Sequence, residues 1–283
     1  MYPRLSWPGI VAAARTVVAR YDTRVTLRQL YYVLGAEGVI PLTNPTYRHL
    51  SAHLAEARRR GDFPKDGLID LGREIHVRPR YAGPSELLSV VPELYRADRT
   101  SGQPYALYVG VEKDTLRVQI TDWLEDYGIP VLVVRGYGSQ TYADQVAAHV
   151  AGDGRPAVLL FVGDLDASGE DIERDWVART HCWSEVQRLA VTIAQAEALP
   201  AAAGKAGDPR WSGFASRHGL DPARPVQYEV EAINPTELRE LLISAVDART
   251  DLARLRGLLE HEESERRRLS EFLSSWSDDG GTA

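Results

Sequence analysis

Cysteine is nearly absent from the sequence, since Cys182 is the single one among 283 residues. One thiol excludes an internal disulfide framework and a cysteine-based zinc cage, and it indicates a reducing compartment. Long apolar runs are absent as well, because runs such as 157–162 are far shorter than the roughly 20 residues that span a membrane. Residues 1–10 lack the basic-then-apolar order of a secretory signal. We therefore expect a cytoplasmic protein with no membrane-bound part.

Lysine is also scarce, with 3 lysines against 30 arginines. The net charge of −7 argues against a nucleic-acid partner, because phosphate carries charge of the same sign. The charge is unevenly distributed, however: residues 1–80 contain 13 basic and 7 acidic side chains, a balance of +6, and the remainder has −13. Planar guanidinium groups match the geometry of phosphate. The basic N-terminal part is therefore the candidate nucleic-acid-binding region.

The length predicts about two domains, and the first, at 1–82, has helical periodicity. Thr26 and Gln29 have the spacing of a capping box, which predicts the start of a helix. A second helix is predicted to begin where Asn44 caps and Pro45 takes the first helical position.

Short β signals punctuated by glycine follow these helices, at 67–70 and 74–77. Two helices joined by a turn and followed by a small β wing are typical of a winged helix-turn-helix, which binds DNA. We therefore predict a winged helix-turn-helix in the first domain.

The hydrophobic period changes beyond a predicted linker at 83–104. Nearly continuous apolar runs alternate with helical patterns, which is typical of buried parallel strands joined by helices. The runs lie at 106–111, 130–134 and 157–162. We therefore predict an α/β domain with a parallel sheet over 105–235, followed by a C-terminal helix and tail over 236–283.

Acidic residues follow two of the predicted strands. Glu112 comes directly after the first apolar run, and Asp164 and Asp166 come after the third. Because the carboxyl ends of parallel strands meet at one edge of a sheet, we expect these side chains to converge there. Carboxylates without cysteine or histidine favour a hard cation, Mg²⁺ first and Mn²⁺ second. The sequence thus predicts a metal site held by these three residues.

Two other interpretations apply to the segment 164–169. An aspartate at the end of a strand is a common helix cap, and this interpretation stays open for Asp164 and Asp166. The segment also resembles a calcium loop, but a strand rather than a helix precedes it, and Asp175 replaces the glutamate of the twelfth position. Glu112 on a neighbouring strand favours the metal site.

A glutamate after one strand and an Asp-x-Asp after another resemble the acidic site of a Toprim domain. Further motifs, spread over roughly residues 20–240, resemble the A subunit of topoisomerase VI and its meiotic double-strand-break relatives. The short length is most similar to the stand-alone "mini-A" proteins of mobile elements. The motifs are Val111-Glu112-Lys113, Arg135-Gly136-Tyr137-Gly138, Asp164-x-Asp166-x-x-Gly169 and Glu229-Val230-Glu231-Ala232.

This family carries an Arg-x-x-x-Tyr motif in its winged helix, and the matching residues here are Arg28 and Tyr32. Tyr31 shares an apolar stripe with Leu30 and Leu34, so it is expected in the core. Tyr32 lies off that stripe and four residues after Arg28, so both side chains are predicted on an exposed face. The resemblance likewise makes Tyr32 the nucleophile.

The resemblance implies DNA cleavage by transesterification, with a 5′-phosphotyrosyl product and Tyr32, Arg28 and Glu112 as catalytic residues. A phenol has a pKa near ~10, so its attack on a phosphodiester needs a nearby cation or base. The resemblance also implies a homodimer in which Tyr32 of one protomer works with the carboxylates of the other. Strand passage would need a separate ATPase B-type subunit or would not occur, because the sequence contains no nucleotide-binding glycine motif.

Basic side chains are predicted to contact double-stranded DNA, chiefly from the second helix. These are Arg48, Arg58, Arg59, Arg60 and Lys113. Ordinary solvated charges are the alternative for each. Two other functions stay open for the whole chain. One is a Toprim nuclease that hydrolyses DNA with metal-activated water, and the other is a non-catalytic winged-helix DNA-binding protein whose carboxylates only complete the fold.

Overall fold

The computed structural model describes residues 6–21, 24–69, 77–136 and 138–274. The elements of its N-terminal unit are α1 (Trp7–Val18), β1 (Val25–Thr26), α2 (Leu27–Ala36), α3 (Asn44–Arg60) and β2 (Leu68–Ile69). The two short strands pair in parallel. The three helices share a small apolar core, which includes Leu30, Leu34, Leu50 and Leu54.

Local capping explains where α2 and α3 begin. The hydroxyl of Thr26 accepts a hydrogen bond from the Gln29 N–H at 3.1 Å, and the Gln29 side chain accepts from the Thr26 N–H at 2.9 Å. The predicted capping box is therefore confirmed. The predicted cap of α3 is wrong by one residue, because Thr43 rather than Asn44 has the extended backbone of a cap and accepts from the Thr46 N–H.

The predicted wing lies only partly within the described residues. β2 coincides with the first β signal, at 67–70. The second signal, at 74–77, lies outside the described residues except for Val77. The winged form of this unit therefore stays a prediction.

The central sheet is parallel and has the strand order β4-β3-β5-β6. Its strands are β3 (Ala106–Val111), β4 (Val131–Val133), β5 (Ala157–Val162) and β6 (Glu185–Ala190). The predicted α/β fold is confirmed, and the three apolar runs correspond to the first three of these strands. The sequence did not predict β6, because polar and half-exposed residues interrupt the apolar pattern of this edge strand.

Helices cover both faces of this sheet. One face carries α5 (Asp114–Trp123) and α10 (Pro235–Asp247), and the other carries α6 (Gln140–Asp153) and α7 (Ala167–Thr180). Successive side chains of β5 alternate between the two cores, and all six are buried. This double burial explains why the strand is a continuous apolar run.

The other elements connect and extend these layers. They are α4 (Pro84–Leu94), α8 (Ile193–Ala196), β7 (Ala202–Ala203), α9 (Trp211–His218), β8 (Val226–Gln227) and α11 (Leu252–Ser274). The segment predicted as a linker contains α4, which packs along α11. Within the described ranges, no helix combines the length and the apolar character needed to cross a membrane.

Candidate active site

The predicted acidic residues lie together at the carboxyl edge of the sheet. Strands β3 and β5 pair in register, with Val111 opposite Val162. The chain continues from these partners into Glu112 on one strand and toward Asp164 and Asp166 on the other. Adjacent parallel strands therefore bring the three carboxylates to one end of the fold, as the sequence predicted.

Glu112 is packed against the turn that follows β5. Its Oε2 accepts a hydrogen bond from the Asp164 N–H at 2.9 Å. A Cβ added at Gly163 or Gly169 would lie 2.9 Å or 3.1 Å from the same oxygen, so glycine leaves the room that this carboxylate occupies. Burial raises the pKa of Glu112, and the negative charge of Asp166 raises it further.

Asp166 caps α7. Its Oδ1 accepts hydrogen bonds from the N–H groups of Ser168 at 2.8 Å and Gly169 at 2.7 Å. The helix-cap interpretation is therefore correct for this residue. Within the described ranges, Oδ2 of Asp166 and Oε1 of Glu112 accept no hydrogen bond from the protein, so each carboxylate retains an oxygen for another partner.

Asp164 points into a different set of contacts. Its Oδ1 accepts from the Val230 N–H at 2.9 Å, and its Oδ2 forms an ion pair with Lys113 Nζ at 2.7 Å. Burial raises the pKa of Asp164 well above its usual range, although Lys113 opposes the shift. In this arrangement both oxygens of Asp164 are occupied by protein donors.

The donors available for a metal are consequently fewer than predicted. Among the described residues, no three histidine, cysteine or carboxylate side chains converge closely enough to hold a metal ion. Glu112 and Asp166 fit as a pair, since each has an unoccupied oxygen beside the glycine-lined turn. Mg²⁺ commonly uses one or two protein carboxylates and completes its shell with water and phosphate oxygens. The pair therefore suits such an ion, and Asp164 does not contribute in this arrangement.

Two carboxylates that carried no predicted role complete the site. Glu229 and Glu231 flank Val230 in the turn after β8, and both side chains are almost fully buried. Lys113 forms ion pairs with Glu229 and, at 3.6 Å, with Glu231. Burial alone would raise the pKa of Glu229, but Lys113 and Arg28 lower it to about 2. Both glutamates belong to the Glu229-Val230-Glu231-Ala232 motif of the resemblance, which marked this segment in the sequence but gave its residues no role.

Arg28 joins the N-terminal unit to this cluster. Its Nε pairs with Glu231 at 2.7 Å and its Nη2 pairs with Glu229 at 3.0 Å. The same Nη2 donates to the Tyr32 hydroxyl at 3.3 Å. The predicted neighbourhood of Arg28 and Tyr32 is therefore confirmed, and Arg28 links the tyrosine to the sheet edge.

The predicted exposure of Tyr32 is wrong, because only 9% of the residue is accessible to solvent. Tyr32 belongs to the apolar cluster of the N-terminal unit, which Ala232 also joins, and α2 packs against residues 230–232, a contact that the helical periodicity of α2 alone cannot reveal. The Tyr32 ring lies 5.3 Å from the Arg28 guanidinium carbon and 5.9 Å from Lys113 Nζ. Burial raises the pKa of Tyr32, and Glu229 adds to the increase while Arg28 opposes it.

Tyr31 is buried, as predicted. Its hydroxyl donates to the Thr43 carbonyl oxygen at 3.1 Å, and its ring packs edge-on against Tyr47. These contacts belong to the joint between α2 and α3. Tyr31 is thus a structural residue, and Tyr32 is the tyrosine whose hydroxyl meets the charged cluster.

The predicted DNA-binding residues occupy different surroundings. Arg48 is exposed, and Arg59 and Arg60 form exposed ion pairs with Glu56 and Asp62. Arg58 lines an open cleft of about 730 Å³ between α3 and the sheet edge. Lys113 also lines this cleft, but its ammonium group is engaged by three carboxylates.

Comparisons of the chain with models of protein families, with curated proteins and with solved structures gave no match. The functional assignment therefore depends on the residues and their geometry.

Proposed function

We propose that the protein is a topoisomerase VI A-like enzyme that cleaves double-stranded DNA by tyrosine transesterification. The observation that carries the proposal is the position of the Arg28–Tyr32 pair against the sheet edge that holds Glu112, Asp164 and Asp166. A tyrosine, an arginine and a carboxylate-rich edge of a parallel sheet are the groups that this reaction needs. An open cleft of about 730 Å³ lies beside Arg28 and Glu112 and leaves this edge accessible to a substrate.

The proposed reaction exchanges one phosphodiester for another. The Tyr32 oxygen attacks phosphorus after its proton passes to solvent, the bond to the 3′ oxygen breaks, and that oxygen leaves with a proton from water. The product is a 5′-phosphotyrosyl link and a 3′ hydroxyl. The Arg28 guanidinium, in contact with the Tyr32 hydroxyl, balances negative charge on the phenolate and the scissile phosphate.

Mg²⁺ or Mn²⁺ is the cofactor that we propose, and Glu112 and Asp166 are the residues that would hold it. A divalent ion there supplies positive charge to phosphate oxygens as they gain negative charge. Asp164 positions Lys113 and the backbone of Val230 through the contacts described above.

The resemblance adds a homodimer with shared active sites to the proposal, whereas the contact of Tyr32 with its own sheet edge favours a site within one chain. Within one chain, α2 lies against the chain's own sheet edge. In the family that the sequence resembles, the partner's tyrosine occupies the equivalent position. A mixture of Tyr32→Phe and Glu112→Gln chains separates the two arrangements. Shared sites predict recovered cleavage, because a mixed dimer then contains one intact pair, whereas sites confined to one chain predict none.

Hydrolysis by metal-activated water is the second candidate, and the state of Tyr32 favours it. The phenol is buried beside the Glu229 carboxylate, which raises its pKa and disfavours the phenolate. A nuclease of this kind would use Glu112 and Asp166 but would not need the hydroxyl of Tyr32.

Wild type and two variants distinguish the candidates, and a third variant is the control. Wild type, Tyr32→Phe and Glu112→Gln are incubated with supercoiled DNA and Mg²⁺ or Mn²⁺, and protein bound covalently to 5′ ends is measured after denaturation. Transesterification predicts adducts in wild type and none in either variant, and Tyr31→Phe serves as the matched control that keeps activity. Cleavage that persists in Tyr32→Phe would support hydrolysis. Binding without cleavage by every form would support the non-catalytic DNA-binding protein.

A further inference from the structure

We infer that Arg58 and Arg135 form a two-sided clamp for the phosphodiester backbone, one from each wall of the 730 Å³ cleft. The inference builds on the proposed function and names the basic residues through which the cleft would hold DNA. It also distinguishes Arg58 from Arg59 and Arg60, because the sequence alone predicted DNA contact for all three.

The first wall of the cleft is one face of α3. Tyr47, Ser51, Leu54, Ala55 and Arg58 line it and recur at helical spacing. The guanidinium of Arg58 donates to the Lys65 carbonyl oxygen at 2.9 Å. A carbonyl is neutral, so this contact orients the side chain, and among the described residues no carboxylate pairs with Arg58 to balance its positive charge.

Arg59 and Arg60 belong to the same turn of α3 but do not line the cleft. Arg59 forms a two-point contact with Glu56, and Arg60 pairs with Asp62. Their charges are balanced by these carboxylates on the outer surface. One helix turn therefore contains one unbalanced arginine that faces the cleft and two balanced ones that do not.

The second wall is the end of β4. Arg135 follows this strand, is exposed, and forms no ion pair within the part of the chain that the structure describes. Gly136 comes next with φ +57°, a left-handed conformation that glycine adopts readily and that turns the chain at this point. Arg135 thereby lines the cleft beside Glu112 and Lys113.

The other cations of the cleft are already paired. Arg28 and Lys113 are held by the buried carboxylates Glu229 and Glu231. Asp114, an acidic residue that also lines the cleft, pairs with Arg117. Within the described residues, the unbalanced positive charges of the cleft are thus on opposite walls. Two separated guanidinium groups suit an extended chain of phosphates, which would run past Glu112 between them.

The salt dependence of DNA binding tests this inference. A labelled 30-base-pair duplex is titrated in EDTA, so that cleavage does not interfere, and fluorescence anisotropy gives the dissociation constant between 50 and 300 mM KCl. Each phosphate contact contributes about 0.9 to the magnitude of the slope of log K against log salt concentration. Arg58→Gln and Arg135→Gln should therefore each lower the magnitude of this slope by about 1. The same loss should weaken binding about eightfold near 0.1 M salt. Arg59→Gln and Arg60→Gln are matched controls that remove the same charge, and they should keep the wild-type slope.

Every outcome decides between the possibilities, provided that thermal melting confirms that the variants fold. Unchanged slopes in Arg135→Gln or Arg58→Gln overturn the clamp, as do equal losses in all four variants. If the slopes fall as expected but wild type does not cleave DNA in Mg²⁺ or Mn²⁺, the result contradicts the proposed function and leaves the clamp intact. Cleavage with unchanged slopes contradicts the clamp alone, and absence of DNA binding by wild type contradicts both.

Discussion

Two buried ion networks in this molecule have opposite balances of charge. In the first, Glu262 of α11 lies between Arg99 and Arg266, and Arg99 contacts both of its carboxylate oxygens at 2.7 and 3.0 Å. The Ala97 N–H donates to the same carboxylate at 2.9 Å. We call this network the α11 clamp. Arg99 also lies 3.7 Å from the exposed carboxylate of Asp126, so Glu262 is the one buried carboxylate of this network, and donors surround it.

The second network is at the sheet edge, and we call it the edge cluster. Its carboxylates outnumber its cations, which are Arg28 and Lys113. The five carboxylates are Glu112, Asp164, Asp166, Glu229 and Glu231. Burial raises the pKa of Glu112 and of Asp164, whereas the donors around Glu262 lower its pKa.

The difference predicts which carboxylates stabilise the fold and which are available to a ligand. A buried carboxylate with lowered pKa is satisfied by its partners, and its loss leaves them unpaired. Buried carboxylates with raised pKa are held in the charged form at a cost, which is typical of functional sites. We therefore expect the α11 clamp to serve stability, and the proposed function gives a chemical role to Glu112 of the edge cluster, whereas Glu229, with its lowered pKa, resembles Glu262 in being satisfied by its partners.

The largest expected difference is in DNA cleavage. Glu112→Gln should lower the cleavage rate about 10³-fold, because it removes a carboxylate that would hold the divalent ion beside the scissile phosphate. Glu262→Gln should leave the rate of the folded protein unchanged. The measurement is the initial rate of linearisation of supercoiled DNA with Mg²⁺. Equal losses in the two variants would remove the distinction between the networks.

The next difference is in unfolding. Glu262→Gln should lower the free energy of unfolding by about 3 kcal/mol, because it breaks a buried ion pair and leaves Arg99 with only the exposed carboxylate of Asp126, 3.7 Å away, as its ion-pair partner. Urea titration followed by circular dichroism measures this change. Glu263→Gln, on the exposed side of the same helix turn, is the control and should change it by less than about 0.5 kcal/mol. A small effect of Glu262→Gln would mean that the α11 clamp is not structural.

The smallest expected effect has the opposite sign. The raised pKa of Glu112 means that the folded state holds its proton more tightly than the unfolded state does, so ionisation at pH 7 destabilises the fold. Glu112→Gln should therefore raise the free energy of unfolding by about 1 kcal/mol at pH 7. The gain should become small by pH 4, below the ordinary glutamate pKa of about 4.3, because Glu112 of wild type is then mostly protonated in both states. Urea titrations at pH 7 and pH 4 measure it, and destabilisation at pH 7 would contradict the assignment.

Much of the architecture could be predicted from local sequence. The apolar runs located three strands of the sheet, and the Thr26–Gln29 spacing located the start of α2, because burial on both faces and capping leave a clear pattern. The convergence of Glu112 with Asp164 and Asp166 followed from the parallel direction of their strands. Each of these predictions depends on the order of residues along one element or on one rule of sheet topology.

Contacts between distant elements could not be predicted in the same way. The burial of Tyr32 depends on residues 230–232, about 200 positions away, and the periodicity of α2 carries no information about them. Likewise, Lys113 was predicted to contact phosphate, but the structure surrounds it with Asp164, Glu229 and Glu231. The partners of a charged residue are set by tertiary packing, so its neighbours in sequence are a poor guide to its role.

Identification of the residue that carries DNA after cleavage tests the proposed chemistry most directly. Cleaved complexes are denatured, digested with nuclease and trypsin, and analysed by tandem mass spectrometry. The proposal predicts a nucleotide 5′-phosphate linked to Tyr32, within the peptide 29–48, which also contains Tyr31 and Tyr47. Cleaved DNA with free 5′ ends and an unmodified peptide would contradict it, as would a nucleotide on Tyr31.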